Sequence, residues 1–151
     1  MSANTAILVV DDEEQILRVL RPTLEAQDYA VTTVTTGEAA LAALQRETYG
    51  VVILDLGLPD LDGKEVIRRA RIWSQVPIIV LSARDQDTEK IAALDYGAED
   101  YLAKPFSVGE LLARIRVVLR TASSSTGGQT YSAEGIDFDF RRRLARLFGE
   151  A

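Results

Sequence analysis

Short apolar runs recur along the chain, and a polar residue directly follows each of them. The runs occupy residues 7–10, 51–54, 78–81 and 101–103. A fifth stretch, 29–34, is rich in β-branched side chains and predicts one more strand. Between these segments, apolar residues recur at three- and four-residue spacing, which is typical of amphipathic helices. Continuous apolar strands alternating with helices predict an α/β fold with a parallel sheet covered on both faces.

Capping signals mark where several of the predicted helices begin. Thr35 and Glu38 have the spacing of a capping box ahead of an alanine- and leucine-rich helix. Ser107 and Glu110 repeat that spacing ahead of the last helix, and Asp62 stands ahead of the helix between the third and fourth strands. Helix therefore alternates with strand through most of the chain.

The composition changes sharply after Thr121. Residues 122–130 are mostly serine, threonine and glycine, which is the content of a flexible linker. Residues 131–151 contain two stretches that can pair as a β-hairpin. A lone hairpin is marginally stable in water, so we expect 131–151 to begin a second domain whose remainder is absent from this chain.

Composition also excludes several kinds of chemistry. The 151 residues include no cysteine and no histidine, which excludes disulfides, thiolate or imidazole metal ligands, and Ser-His-Asp or Cys-His catalysis. The net charge of −6 disfavours nucleic-acid binding by this stretch. No apolar run approaches the length of a membrane span and the N-terminus lacks the pattern of a signal peptide, so we expect a cytoplasmic protein without membrane contact.

Polar side chains follow or close the predicted strands at their carboxyl ends. They are Asp11, Asp12, Asp55, Ser82 and Lys104. Ligands of open parallel sheets bind at this edge, so we expect these groups to converge. Three carboxylates repel one another unless a cation intervenes, and with oxygen ligands alone the natural cation is Mg²⁺. Such a site suits a phosphoryl group, with a carboxylate as its nucleophile.

Four segments at these strand ends resemble the signature of response-regulator receiver domains. They are 8–13 (LVVDDE), 55–63 (DLGLPDLDG), 80–83 (VLSA) and 104–106 (KPF), in the family's order and spacing. The resemblance implies that residues 1–121 form a flavodoxin-like, doubly wound sheet of five parallel strands in the order 2-1-3-4-5, flanked by five helices. It also implies a cis Lys104–Pro105 peptide bond.

The resemblance gives each site residue a role. Asp55 corresponds to the phosphoacceptor, which takes its phosphoryl group from a partner sensor histidine kinase. The Mg²⁺ site corresponds to Asp12 as a direct ligand, Asp11 as the neighbour that holds metal-bound water, Asp55, and the backbone carbonyl of Gly57. The other roles fall on Ser82 and Lys104, which contact the phosphoryl group, on Ala83, which leaves room for it, and on Tyr101, which switches together with Ser82. Glu13 is interpreted as a first-turn helix residue favoured by the helix dipole rather than as a ligand.

The region after residue 121 indicates a subclass. A linker followed by a hairpin resembles the OmpR/PhoB regulators, in which residues 131–151 would begin a winged-helix DNA-binding domain. The segments 55–60, 80–84 and 90–95 resemble in particular the potassium-transport (Kdp-type) members. Such regulators form homodimers through the fourth helix, fifth strand and fifth helix, and bind DNA through the effector domain. The charge pairs of that interface correspond to Lys90 with Glu110, Asp95 with Arg116, and Asp100 with Arg114.

The main hypothesis is therefore a non-enzymatic two-component regulator of transcription, whose own site catalyses its phosphotransfer and dephosphorylation. Two alternatives remain open at this point. A stand-alone receiver would act only through protein contacts, and the linker and hairpin argue against it. A Mg²⁺-dependent phosphatase with an aspartyl nucleophile would be a true enzyme, but such enzymes typically carry a second acid where Gly57 stands.

Overall fold

The computed structural model describes residues 5–83 and 87–127, and within them five parallel strands form one sheet. Strands and helices alternate in the order β1 (Ala6–Val10), α1 (Glu14–Glu25), β2 (Ala30–Val34), α2 (Gly37–Arg46), β3 (Val51–Asp55), α3 (Gly63–Ala70), β4 (Ile78–Ser82), α4 (Asp87–Asp95), β5 (Asp100–Ala103) and α5 (Val108–Gly127). The strand order is β2-β1-β3-β4-β5, which confirms the predicted doubly wound fold.

Each face of the sheet buries its own apolar cluster, because successive strand residues point to opposite faces. On one face, strand residues such as Leu8 and Leu54 belong to a cluster with side chains of α2, α3 and α4. On the other face, residues such as Val9 and Ile53 belong to a cluster with side chains of α1 and α5. Both faces of β1 and β3 are therefore covered, which explains why these strands are continuous apolar runs rather than alternating ones.

The predicted starts of α3 and α5 are confirmed. Asp62 precedes α3 and accepts a hydrogen bond from the Lys64 amide at 2.9 Å. The Ser107 hydroxyl accepts one from the Glu110 amide at 3.0 Å, at the first turn of α5. Both bonds satisfy amides that have no partner inside the helix, so the local sequence is sufficient to place these two helix starts.

The predicted capping box at α2 is wrong by one residue. Thr36, and not Thr35, caps this helix, and its hydroxyl accepts a hydrogen bond from the Ala39 amide at 3.1 Å. The physical reason lies in Gly37, the first helical residue, because a Cβ atom there would lie only 2.9 Å from Val66 Cγ2 of α3. Only glycine allows this close approach, so tertiary packing fixes the start of α2.

The last helix, α5, continues past the boundary expected from the composition. It has 20 residues and ends at Gly127, so residues 122–127 of the predicted linker are helical. Extending an existing helix adds one hydrogen bond per residue without a new nucleation step, which lets small polar residues follow a well-packed segment. Residues 128–130 and the predicted hairpin, 131–151, lie outside the described part of the chain. Among the described helices, none is both long and apolar enough to cross a membrane.

Candidate functional site

Four strands bring the predicted site residues to one edge of the sheet. Asp11 directly follows β1, Asp55 and Ser82 are the last residues of β3 and β4, and Lys104 directly follows β5. These four strands are consecutive neighbours in the sheet, and Asp55 is in register with Leu81, the residue before Ser82. Residues far apart in the sequence therefore meet at the carboxyl ends of the strands, where parallel sheets bind ligands.

Three aspartates form an acidic cluster at this edge. Each of Asp11, Asp12 and Asp55 offers one carboxylate oxygen, and these oxygens lie within 4.8 Å of one another. Asp11 and Asp55 are buried and Asp12 is exposed. Asp11 is held in place because its amide donates to Val34 O at 3.1 Å and its Oδ1 accepts from the Glu13 amide at 2.9 Å. The cluster thus has one buried side and one side open to water.

The ammonium group of Lys104 lies between the carboxylates. Its Nζ donates to Asp11 Oδ2 and to Glu13 Oε1, both at 3.0 Å, and lies 3.3 Å from Asp55 Oδ1. Burial of the lysine opposes its charged form, but these hydrogen bonds and the negative charges of Asp55 and Asp11 outweigh that effect and raise the pKa of Lys104. Lys104 is therefore a permanent cation inside the acidic cluster.

Glu13 takes part in this arrangement, which the interpretation as a first-turn helix residue missed. It is the residue before α1, and its side chain makes no capping bond to that helix. Instead, the carboxylate reaches across to Lys104, while 59% of the side chain remains exposed. Its position next to Asp12 at the same strand end was the only sequence signal for this contact.

The carboxyl group of Asp55 is also perturbed by its surroundings. Burial, followed by the negative charge of Asp11, raises the pKa of Asp55 above its ordinary value of 3.8. Lys104 and a hydrogen bond from the Gly57 amide act in the opposite direction without cancelling the shift. Gly57 lies close to this group, since a Cβ atom there would be 3.8 Å from Asp55 Oδ2. A further positive charge next to Asp55 would therefore stabilise its ionised carboxylate.

The remaining predicted site residues surround this cluster in different ways. Ser82 is 1% exposed, and Ala83 after it is exposed. Tyr101 is in register with Val80 and is buried in the same apolar cluster as Ala93. The ring expected to switch together with Ser82 is thus already buried. The Lys104–Pro105 peptide is cis, as the resemblance implied.

The charged residues expected at a dimer interface lie on α4, β5 and α5. Arg114 Nη1 lies 2.7 Å from Asp100 Oδ2, and Arg114 Nη2 lies 3.3 Å from Glu110 Oε2, all within one chain. The other predicted interface residues, all of them exposed, are Lys90, Asp95 and Arg116. One of the three expected pairs is therefore already formed between β5 and α5 of a single molecule.

Known proteins share both the sequence and this architecture. Residues 7–116 match the family described as the response regulator receiver domain. The KDP operon transcriptional regulatory protein KdpE of Escherichia coli (strain K12) is 52% identical over 122 residues, which are 81% of this chain and 54% of KdpE. The sensory transduction protein RegX3 of Mycobacterium bovis is 44% identical over 149 residues, which are 97% of this chain and 66% of RegX3.

A solved structure agrees with these relatives. The receiver domain of the Francisella response regulator 1452 is 32% identical and matches with a TM-score of 0.75, covering 79% of this chain and 99% of that domain. The chain spans about half the length of KdpE, so the similarity to that protein concerns its receiver part. With the family match over most of its length and with the same five-stranded sheet, the chain belongs to the receiver domains of two-component response regulators, which are generally non-enzymatic phosphoacceptors.

Proposed function

We propose that Asp55 accepts a phosphoryl group from the phosphohistidine of a sensor histidine kinase. The observation that carries this proposal is the acidic cluster, in which Asp11, Asp12 and Asp55 meet beside the ammonium of Lys104. A carboxylate oxygen of Asp55 attacks phosphorus in line, the phosphorus–nitrogen bond of the donor breaks, and an acyl phosphate forms. The chain contains no histidine, so the donor residue belongs to another molecule.

Asp11, Asp12, Asp55 and the backbone carbonyl of Gly57 would hold Mg²⁺ at this site. All of these are oxygen donors, which Mg²⁺ prefers, and the exposed side of Asp12 leaves space for the water ligands that this ion retains. The raised pKa of Asp55 supports the assignment, because a cation beside this carboxylate would offset the burial and the charge of Asp11 that disfavour its ionised form. When bound, Mg²⁺ would neutralise negative charge on the transferred group.

The neighbouring side chains would contact the acyl phosphate after it forms. The same site would also catalyse the hydrolysis of this acyl phosphate. Lys104 Nζ already faces Asp55 Oδ1, the kind of oxygen that would carry the phosphoryl group. Ser82 would supply a hydroxyl from the adjacent strand, and Ala83 would leave the space open. Because Tyr101 is already inward, its switch would be a change in the population of an existing arrangement.

Incubation with acetyl phosphate and Mg²⁺ tests this function. The intact mass should rise by one phosphoryl group, chelation of Mg²⁺ should prevent the rise, and hydroxylamine should remove the label, because acyl phosphates react with it. Peptide mapping should place the label on Asp55. A hydroxylamine-stable label on serine or threonine would contradict the proposal.

The output that we propose for the longer regulator is control of transcription, through a winged-helix domain that residues 131–151 would begin. Because α5 extends to Gly127, the linker predicted at 122–130 would not start before residue 128. The names of relatives support this output, since KdpE is described as a transcriptional regulatory protein. A stand-alone receiver is disfavoured because the similarity to RegX3 extends well beyond residues 7–116. The phosphatase alternative is disfavoured because Gly57, beside Asp55, has no side chain to act as the second acid.

Phosphorylation would favour a homodimer through α4, β5 and α5, and charge reversal tests this interface. With beryllofluoride and Mg²⁺, the wild type should sediment as a dimer. Lys90→Glu should weaken that dimer about tenfold to hundredfold, because it places like charges together at two symmetric positions. Adding Glu110→Lys should restore the dimer, whereas Arg46→Glu on α2 should have no effect. A wild type that stays monomeric, or a Lys90→Glu variant that dimerises normally, would contradict this interface.

A further inference from the structure

Asp60 connects the loop after the acceptor strand to a helix that is distant in the sequence. This residue lies between β3 and α3. Its Oδ1 accepts a hydrogen bond from the Gly37 amide at 2.8 Å, and its Oδ2 accepts one from the Glu38 amide at 3.0 Å, across 23 and 22 residues. Hydrogen bonds to an ionised carboxylate are about twice as strong as those between neutral groups. Asp60 therefore caps the first turn of α2 from outside that helix.

The loop that carries Asp60 is short and closed, and it begins beside the phosphoacceptor. Gly57 and Asp62 pair as an antiparallel bridge, and the Gly63 amide donates to the Leu56 carbonyl at 2.8 Å. Asp60 lies at the tip of this turn, and its Oδ1 also accepts from the Leu61 amide at 2.9 Å. The tip and Gly57 thus belong to one closed unit, and we expect a displacement of the tip to be transmitted to Gly57.

The helix to which Asp60 is bound provides a fixed support. A Cβ atom at Gly37 would lie 2.9 Å from Val66 Cγ2 and 3.0 Å from Leu61 Cβ, which leaves the start of α2 no free space on this side. Thr36 independently caps the same helix through the Ala39 amide. Loss of the Asp60 side chain would therefore remove this anchor between the loop and α2, while α2 keeps its own cap and its packing.

We propose that Asp60 is a positioning residue of the metal site, which holds the Gly57 carbonyl in place by anchoring the β3–α3 loop to α2. The inference rests on the proposed function, in that it requires Mg²⁺ to bind at the acidic cluster. Asp60 does not touch the ion. Without the Asp60 side chain, the loop is held less tightly to α2 before the ion binds. Part of its ordering must then occur on binding, and the entropic cost of this ordering reduces the affinity for Mg²⁺. By reciprocity, bound Mg²⁺ must strengthen the contact between the loop and α2.

Mg²⁺ titration by calorimetry, with the full chain, separates this role from that of a plain helix cap. Asp60→Ala should weaken Mg²⁺ binding about tenfold, as is typical for groups that orient metal ligands. Thr36→Ala is the matched control, because it removes a cap of the same helix without touching the loop. Both variants should lower the urea midpoint of the metal-free protein, but Thr36→Ala should bind Mg²⁺ like the wild type. Asp60→Asn, which keeps one acceptor oxygen, should be intermediate.

Hydrogen exchange gives a second readout, which compares the wild type with Asp60→Ala. Mg²⁺ should slow the exchange of the Gly37 and Glu38 amides, and this slowing should be lost in Asp60→Ala. Unchanged Mg²⁺ affinity in Asp60→Ala, or exchange at both amides that ignores Mg²⁺, would overturn the positioning role and leave the proposed function intact. Failure of the wild type to bind Mg²⁺ would instead overturn both.

Discussion

Replacement of Asp55 by asparagine is expected to abolish phosphorylation of the chain. The side chain keeps its shape, but the amide is not a nucleophile and cannot form an acyl phosphate. Mass spectrometry after incubation with acetyl phosphate and Mg²⁺ should show only the unmodified mass. Asp62→Asn is the matched control, because this residue caps α3 in the same loop and should still allow labelling. A hydroxylamine-sensitive label on the Asp55→Asn protein would show that the acceptor lies elsewhere.

The same substitution should stabilise the metal-free protein in a pH-dependent manner. Burial and the charge of Asp11 raise the pKa of Asp55 in the folded state above 3.8, so the folded protein binds this proton more tightly than the unfolded chain. The unfolding free energy of the wild type therefore falls as the pH rises from about 3.8 through the raised pKa of Asp55. Above that pKa, the loss of unfolding free energy stays constant. Asparagine has no such titration.

Urea unfolding in the presence of a chelator, over a series of pH values, measures this effect. The difference in unfolding free energy between Asp55→Asn and the wild type should grow with pH across the window and then level off. Mg²⁺ should stabilise the wild type more than the variant, because it binds the folded state through the carboxylate that the variant lacks. A difference that does not change with pH would mean that Asp55 has no raised pKa.

Gly63→Ala should be the most disruptive small substitution near the site. A Cβ atom at Gly63 would lie 2.6 Å from Leu56 Cα and 2.8 Å from the Asp55 carbonyl oxygen. Both are backbone atoms, which cannot rotate away as a side chain can, so α3 or the end of β3 must shift. We expect a loss of about 3 kcal/mol of unfolding free energy, at the upper end of the usual range for overpacking.

Gly109→Ala is the matched control for this substitution. Gly109 lies in the first turn of α5, and its Cβ atom would meet only the Ser107 hydroxyl oxygen at 3.6 Å, an ordinary contact. Alanine there should be neutral or should stabilise the protein by up to about 1 kcal/mol. Urea midpoints of the two variants provide the measurement. If Gly63→Ala unfolded at the same urea midpoint as the wild type, the turn after β3 would be more adaptable than its geometry indicates.

The features that the sequence predicted correctly are those determined by local pattern or by the rules of parallel sheets. Both faces of the core strands are covered, so these strands are apolar throughout. They can therefore be recognised in the sequence as continuous apolar runs. Asp62 and Ser107 cap helices that begin within a few residues of them. Asp11, Asp55 and Lys104 could be grouped because the carboxyl ends of parallel strands share one edge.

The features that could not be predicted depend on contacts between distant residues. The capping role of Asp60 joins positions 23 residues apart, and no local pattern signals it. Thr36 rather than Thr35 begins α2 because of the space between Gly37 and α3. The sequence shows that Asp100 and Arg114 have opposite charges, but only coordinates show that they pair within one chain.

The ion pair between Lys104 and Asp11 joins residues 93 positions apart, next to the last and the first strand. Until β5 docks onto the sheet, Lys104 is not at the site. Until β1 pairs with its neighbours, the acidic cluster is not assembled. Contacts of such sequence separation form slowly, because the intervening chain must first lose its conformational freedom. We therefore expect partly folded molecules to lack the complete acceptor site, so that the capacity to take up a phosphoryl group would report the completion of folding.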